Sequence, residues 1–135
     1  NKNDDFKRVK IRNFIKNLEL EGLDNDKFNL TIKNLKFANE SIKYFVEKNL
    51  KENSTISNTN KFVILNKNFF LQPEEVVFRS LTEVLKSVGK KYYPVRGKKI
   101  EKLIYQIKND NPLMTTLGNC VIKKVNNSVI VSKER

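Results

Sequence analysis

The side chains able to do chemistry in this sequence are mostly cations. Between positions 86 and 108 lie Lys86, Lys90, Lys91, Arg96, Lys98, Lys99, Lys102 and Lys108, opposed by the single carboxylate of Glu101, with Tyr92 and Tyr93 in the middle. Basic side chains interleaved with aromatics can neutralise phosphates and stack on unpaired bases. Arg96, Lys98, Lys99 and Lys102 also open a predicted helix, and a helix N-terminus adds its own positive field to theirs. The plainer alternative is a solvated face: Lys-rich helix surfaces commonly serve only solubility, and the abundance of Asn, Lys and Ile points to an AT-rich coding sequence that raises Lys everywhere. Composition alone leaves both readings open.

Other candidates are fewer. Arg8 and Arg12 are four apart on one predicted helix, so their guanidiniums can address neighbouring phosphates or one acidic surface. Arg79 lies on another helix, where its stem can pack across the domain. Asp4 and Asp5 imitate a catalytic carboxylate pair, but at the start of a helix the dipole is explanation enough. Cys120 is the only cysteine and has no histidine to activate it, since the chain has none. That excludes an internal disulfide, a Cys/His zinc site, a His general base and a Ser-His-Asp triad. Cys120 is expected to be a small buried residue in a strand.

The chain has 135 residues, 27 Lys+Arg against 15 Asp+Glu, and a formal net charge of +12. The excess is uneven, with a net +3 over residues 1–54 and +9 over residues 55–135. At 39% hydrophobic with nine Phe, the chain can bury a modest core and is not expected to be disordered. No apolar run approaches the roughly 18–20 residues of a membrane helix, and the first residues are too polar for a signal peptide. A cytoplasmic protein is expected. Because it opens on Asn1 within a charged helical lead-in, the chain is expected to be the downstream part of a longer polypeptide.

These side chains are positioned by elements that the apolar periodicity outlines. Phe6, Val9, Ile11, Phe14, Ile15 and Leu18 predict a helix over residues 4–20 that stops at Gly22. Phe28, Ile32, Leu35, Ala38, Ile42, Phe45 and Val46 predict a second over 24–53, with Asp24 as N-cap and Leu23 stapled onto Phe28. The polar run 53–60 reads as a linker. Residues 61–65 and 69–71 read as a short hairpin around Asn66, followed by helices ending at Gly89 and spanning about 96–108. Residues 115–125 and 128–132 read as a second hairpin about Asn126-Asn127. The expected class is α+β, mostly helical: a helical hairpin over 1–54, then a small C-terminal unit over 55–135 of two helices with short β-hairpins.

Two local patterns resemble a known family. Asn3-Asp4-Asp5-Phe6-Lys7-Arg8-Val9-Lys10-Ile11-Arg12, followed by an apolar helix and Glu21-Gly22-Leu23, looks like the segment closing the catalytic domain of tRNA(Ile)-lysidine synthetases. Thr116-Leu117-Gly118-Asn119-Cys120, with Lys133-Glu134 at the end, resembles the C-terminus of shorter bacterial members, Asn119 standing where a second Gly is frequent. Phe78-Arg79-Ser80-Leu81 and Tyr93-Pro94-Val95-Arg96 fall between them in the family's order.

The resemblance implies an ATP-dependent ligase of the PP-loop class that adenylates the wobble cytidine of an isoleucine tRNA and displaces AMP with the amine of free lysine. It further implies ATP and Mg2+ in the parent enzyme, none bound by this fragment, and a homodimer as one option for its assembly. The Ser-Gly-Gly-x-Asp-Ser signature that binds ATP is not in this sequence. The chain therefore corresponds to the family's middle and C-terminal part, expected inactive alone, with residues 55–135 binding tRNA. By resemblance Arg8 and Arg12 border the catalytic domain, where they approach tRNA or the adenylate, or else pair with acidic groups of that domain. Arg79, Arg96, Lys98, Lys99 and Lys102 complete the expected tRNA-binding set. The alternatives are a non-catalytic basic RNA- or DNA-binding module and a helical protein-interaction domain.

Overall fold

Among the described residues, four α-helices and five strands form in the order α1 (Lys2–Leu20), α2 (Asn25–Asn53), β1 (Ser54–Ile56), β2 (Phe62–Leu65), a 3-10 helix (Lys67–Leu71), α3 (Glu74–Gly89), α4 (Gly97–Asn109), β3 (Leu113–Leu117), β4 (Cys120–Val125) and β5 (Ser128–Lys133). The computed structural model describes residues 2–22, 24–57, 62–91 and 93–135. The predicted staple of Leu23, the end of the predicted linker at residues 58–60, the first residue of the predicted hairpin at 61 and the aromatic Tyr92 lie outside them. The class is α+β and mostly helical, as the periodicity predicts.

The chain divides into two compact units, Asn1–Glu40 and Ser41–Arg135. The division falls inside α2 and not in the polar run after Asn53, where the change of composition suggested it. Residues 41–53 of α2 carry buried side chains that belong to the second unit, Val46, Asn49 and Asn53.

In the N-terminal unit α1 ends in a turn at Gly22, whose φ of +109° favours glycine. The Asp24 carboxylate then accepts the Lys27 N–H at 2.7 Å, the predicted N-cap. The predicted apolar stripes are largely exposed, with Ile15 and Leu18 half-buried. Phe6, Val9, Ile11 and Phe14 of α1 and Leu30, Ile32 and Leu35 of α2 all face solvent, and none of this unit's described residues is buried. The period of 3.6 encodes the helix; burial needs a further layer against which the stripe packs.

The C-terminal unit holds the core. Its strands pair antiparallel in the order β1-β2-β5-β4-β3. Period-2 alternation sends Val63, Leu65, Ile122, Val129 and Val131 to one face, where they are buried with residues of α3 and α4. Those helices contribute Val77, Leu81, Val84 and Leu85, then Ile100, Leu103 and Ile107. At roughly 1.5–3 kcal/mol per fully buried large aliphatic side chain, this layer dominates the unit's stability. Lys124 fixes the far end of α4 by donating from Nζ to the Ile107 carbonyl at 2.6 Å, the cation lying at the negative pole of the helix.

Three sequence expectations are corrected. Residues 115–125 are not one arm of a hairpin but two paired strands, β3 and β4, that turn at Gly118-Asn119. Ser54–Ile56 is not linker but an edge strand, Thr55 pairing with Ile64. Residues 69–71 are not a strand: Asn66 accepts the Phe69 N–H at 3.1 Å and caps a 3-10 helix that buries Phe69 and Phe70. A capped turn buries two phenylalanines that a three-residue strand would have had to share between opposite faces.

A buried polar network ties these elements together. Asn49 Nδ2 donates to the Phe69 carbonyl at 3.3 Å and to Ser80 Oγ at 3.1 Å, while its Oδ1 accepts from Asn53 Nδ2 at 2.8 Å. Among the described residues no buried side-chain polar atom lacks a partner. Removing one member strands the others in an apolar surrounding, at about 1–3 kcal/mol per group left unpaired. Asn49→Ala is therefore expected to lower unfolding free energy by about 1–3 kcal/mol, and Lys48→Ala, one exposed position away, by under about 0.5. Urea titrations of the two variants check this; equal midpoints would show the network to be energetically idle.

Candidate nucleic-acid interface

The end of α3, the start of α4 and the β3–β4 turn meet at one place in the C-terminal unit. α3 stops when Lys90 takes the left-handed conformation (φ +51°) and donates its N–H to the Lys86 carbonyl. Gly89 is the last helical residue, where the sequence predicts the helix to end, and its role there is close packing. A Cβ built there would lie 2.1 Å from the Gly118 carbonyl oxygen. Gly118 and Asn119 both have positive φ, +60° and +63°, as a two-residue type I′ turn requires. Asn therefore serves at the position where the resemblance expected a second Gly. A Cβ on Gly118 would strike Val95 at 2.6 Å, so Val95 is laid directly against the turn.

From this junction the chain runs through Tyr93, Pro94 and Val95 into α4, which begins at Arg96 without a side-chain cap. The result is a concave pocket of about 420 Å3 lined by Lys91, Tyr93, Pro94, Val95, Arg96, Lys99, Leu117 and Gly118. Three cations and an aromatic ring 75% exposed face it, and among the described residues no carboxylate lines it. An adjoining recess, lined by Glu83, Lys86, Ser87, Lys90 and Lys91, shares Lys91 and extends the basic surface along the end of α3.

The predicted site residues separate accordingly. Arg96 and Lys99 share the pocket. Ile100, Leu103 and Ile107 turn α4 toward the sheet, so Lys98 and Lys102, four apart, are exposed on its outer side. Arg79 is elsewhere on α3, its Nε donating to Glu75 Oε1 at 2.8 Å. Arg8 and Arg12 are exposed on α1, in the other unit. What residue reading missed is the wall supplied by Leu117 and Gly118. The pair Gly118-Asn119 signals a tight turn, but nothing local says that the turn meets Arg96.

Cys120 lies beneath the junction, fully buried as expected. Its Sγ is 3.5 Å from the Leu85 carbonyl, and burial pushes its pKa from 9.0 up to about 11, the Gly89 backbone hydrogen bond opposing this. A buried, protonated thiol is a packing group and not a nucleophile. Among the described residues no group of acidic or cysteine side chains could hold a metal ion, and no helix is long and apolar enough to cross a membrane. Comparison with family models, curated proteins and solved structures finds no match.

Two measurements test this junction. Gly89→Ala is expected to cost about 1–3 kcal/mol because backbone must shift to admit the methyl, whereas Gly97→Ala, whose Cβ would meet only the Phe78 ring at 3.5 Å, should be neutral or slightly stabilising. Equal losses in urea unfolding would contradict the close approach. For Cys120 the sign follows from its raised pKa: above pH 9 the unfolded thiol ionises while the folded one does not, so its contribution is full below pH 9 and lost as pH climbs toward about 11. Stability of the native chain relative to Cys120→Ala should decline across that window; a constant difference would refute it.

Proposed function

We propose that this chain is the tRNA-recognition part of a tRNA(Ile)-lysidine synthetase, the enzyme that ligates lysine to the wobble cytidine of an isoleucine tRNA using ATP. The observation that carries the reading is the basic pocket at the start of α4, which no carboxylate lines among the described residues, joined through Lys91 to the recess of Glu83, Lys86 and Lys90. It coincides with residues of the matched motifs, Tyr93-Pro94-Val95-Arg96 and Leu117-Gly118, which are far apart in sequence and adjacent in space. Isoleucine tRNA is the proposed partner. Lysine and ATP reach the reaction through a catalytic domain, and the exposed apolar stripe of α1, which carries Arg8 and Arg12, supports a larger fold around that helix.

The residues present do not fit an ATP site. Phosphate-cradling loops need consecutive free backbone N–H groups, usually on clustered glycines. Here the four glycines are scattered: Gly22 ends α1, Gly89 and Gly118 pack against each other and Gly97 lies in α4. Chemistry on the nucleotide is therefore assigned to no residue of this chain, whose part in the reaction is to hold and position RNA.

The test is the salt dependence of binding. Each phosphate neutralised releases counterions, so the logarithm of affinity falls with the logarithm of salt by roughly 0.7–0.9 per contact. Replacing Lys98 and Lys99 together by Ala should shallow that slope by on the order of one to two units and weaken binding similarly for isoleucine tRNA and unrelated tRNAs. Filter binding at several salt concentrations reads both quantities. An unchanged slope returns the surface to a solvated face.

A further inference from the structure

We infer that the pocket at the start of α4 seats a single unpaired nucleotide, its phosphate held between Arg96 and Lys99 and its base laid on the Tyr93 ring. This rests on the nucleic-acid reading above and goes further, because it names the part of the RNA the pocket selects. Three features of the lining carry it.

The first is charge in the right place. Arg96 and Lys99 flank the beginning of α4, a helix of 13 residues whose first turn has no side-chain cap. Both cations line the pocket, and the positive end of the helix dipole lies beside them, so a phosphate there is held by two side chains in a favourable field. The neighbouring recess between α3 and α4 is lined by Glu74, Glu75 and Glu101 and repels the same anion, so the selection is local.

The second is the aromatic surface. Tyr93 is three-quarters exposed and stands beside Pro94, Val95 and Leu117, which form an apolar wall suited to a base or sugar. In a duplex both faces of each base are already stacked, and only an unpaired nucleotide can offer a face to Tyr93. The third is size. At about 420 Å3 the pocket lies at the small end of the roughly 300–1,000 Å3 range of ligand pockets, which is room for one nucleotide. A strand leaving it past Lys91 next meets the recess of Lys86, Lys90 and Glu83, which has a net positive charge.

The experiment compares a short blunt RNA duplex with the same duplex carrying a single-stranded extension, both fluorescently labelled and titrated by anisotropy with the full chain at one low salt concentration. The extension should tighten binding by about five- to a hundredfold, the range of one base stacking on one ring. Tyr93→Ala should erase that difference and Tyr93→Phe should keep it, because the ring and not the hydroxyl supplies the stacking surface. If the native chain binds both probes equally, or if Tyr93→Ala retains the preference, the nucleotide pocket is overturned and the basic-surface reading survives. Binding of neither probe overturns both.

Discussion

The C-terminal unit is arranged around one close approach, that of the last helical residue of α3 to the carbonyl of the β3–β4 turn. With a Cβ only 2.1 Å from the Gly118 oxygen, no residue but glycine fits at position 89 without moving backbone. The same contact places Cys120 under the helix end, Val95 against the turn and Lys90 at the point where the chain leaves α3. Two glycines and a small thiol thus let two backbones touch, and the basic surface grows from that touch. The magnitudes explain why the arrangement tolerates its charge. Two like charges 10 Å apart in water repel by only about 0.4 kcal/mol, whereas each of Leu81, Leu85, Ile100 and Leu103 beneath them contributes roughly 1.5–3 kcal/mol by burial. Packing fixes where the cations stand, and water screens the cost.

A second constraint acts on the other side of the unit. The Asn49–Asn53–Ser80 network is polar, buried and satisfied, so it fixes register more than it adds stability. Leucines at these positions would allow α2 to slide by a turn against α3 with little penalty; amides whose partners are the Phe69 carbonyl and the Ser80 hydroxyl do not. The network also makes residues 41–53 part of the C-terminal unit, although the helix that contains them begins in the other.

What was legible in the sequence is what periodicity encodes. All four helices, the hairpin of β4 and β5 and the burial of Cys120 follow from local pattern. The edge strand β1 did not, because Ser54 and Thr55 have no apolar signal and become a strand only by pairing with β2. Phe69 and Phe70 signalled apolar burial but not its geometry, which Asn66 decides by capping. The stripe of Phe6, Val9, Ile11 and Phe14 is the sharpest lesson: its spacing specified a helix correctly while implying a burial that this unit does not supply. For the site, the cations and Tyr93 were readable, since they are contiguous. The wall made by Leu117 and Gly118 was not, being contributed by a turn more than twenty residues away.

The chemistry of the pocket also sets what it can discriminate. Lys91, Arg96 and Lys99 carry only hydrogen-bond donors, Pro94, Val95 and Leu117 carry neither donors nor acceptors, and the Tyr93 hydroxyl is the one side-chain group of the lining that can accept. Telling one base from another takes a matched set of donors and acceptors along its edge. A lining made almost wholly of donors suits phosphate oxygens, and an aromatic face accepts any base. Under the proposed reading, such a surface would separate single-stranded from paired RNA, but hardly one sequence from another. Within the proposed enzyme, identity of the tRNA would then have to be read elsewhere, and this unit would contribute the grip and the orientation that bring the rest of the molecule to the reacting centre.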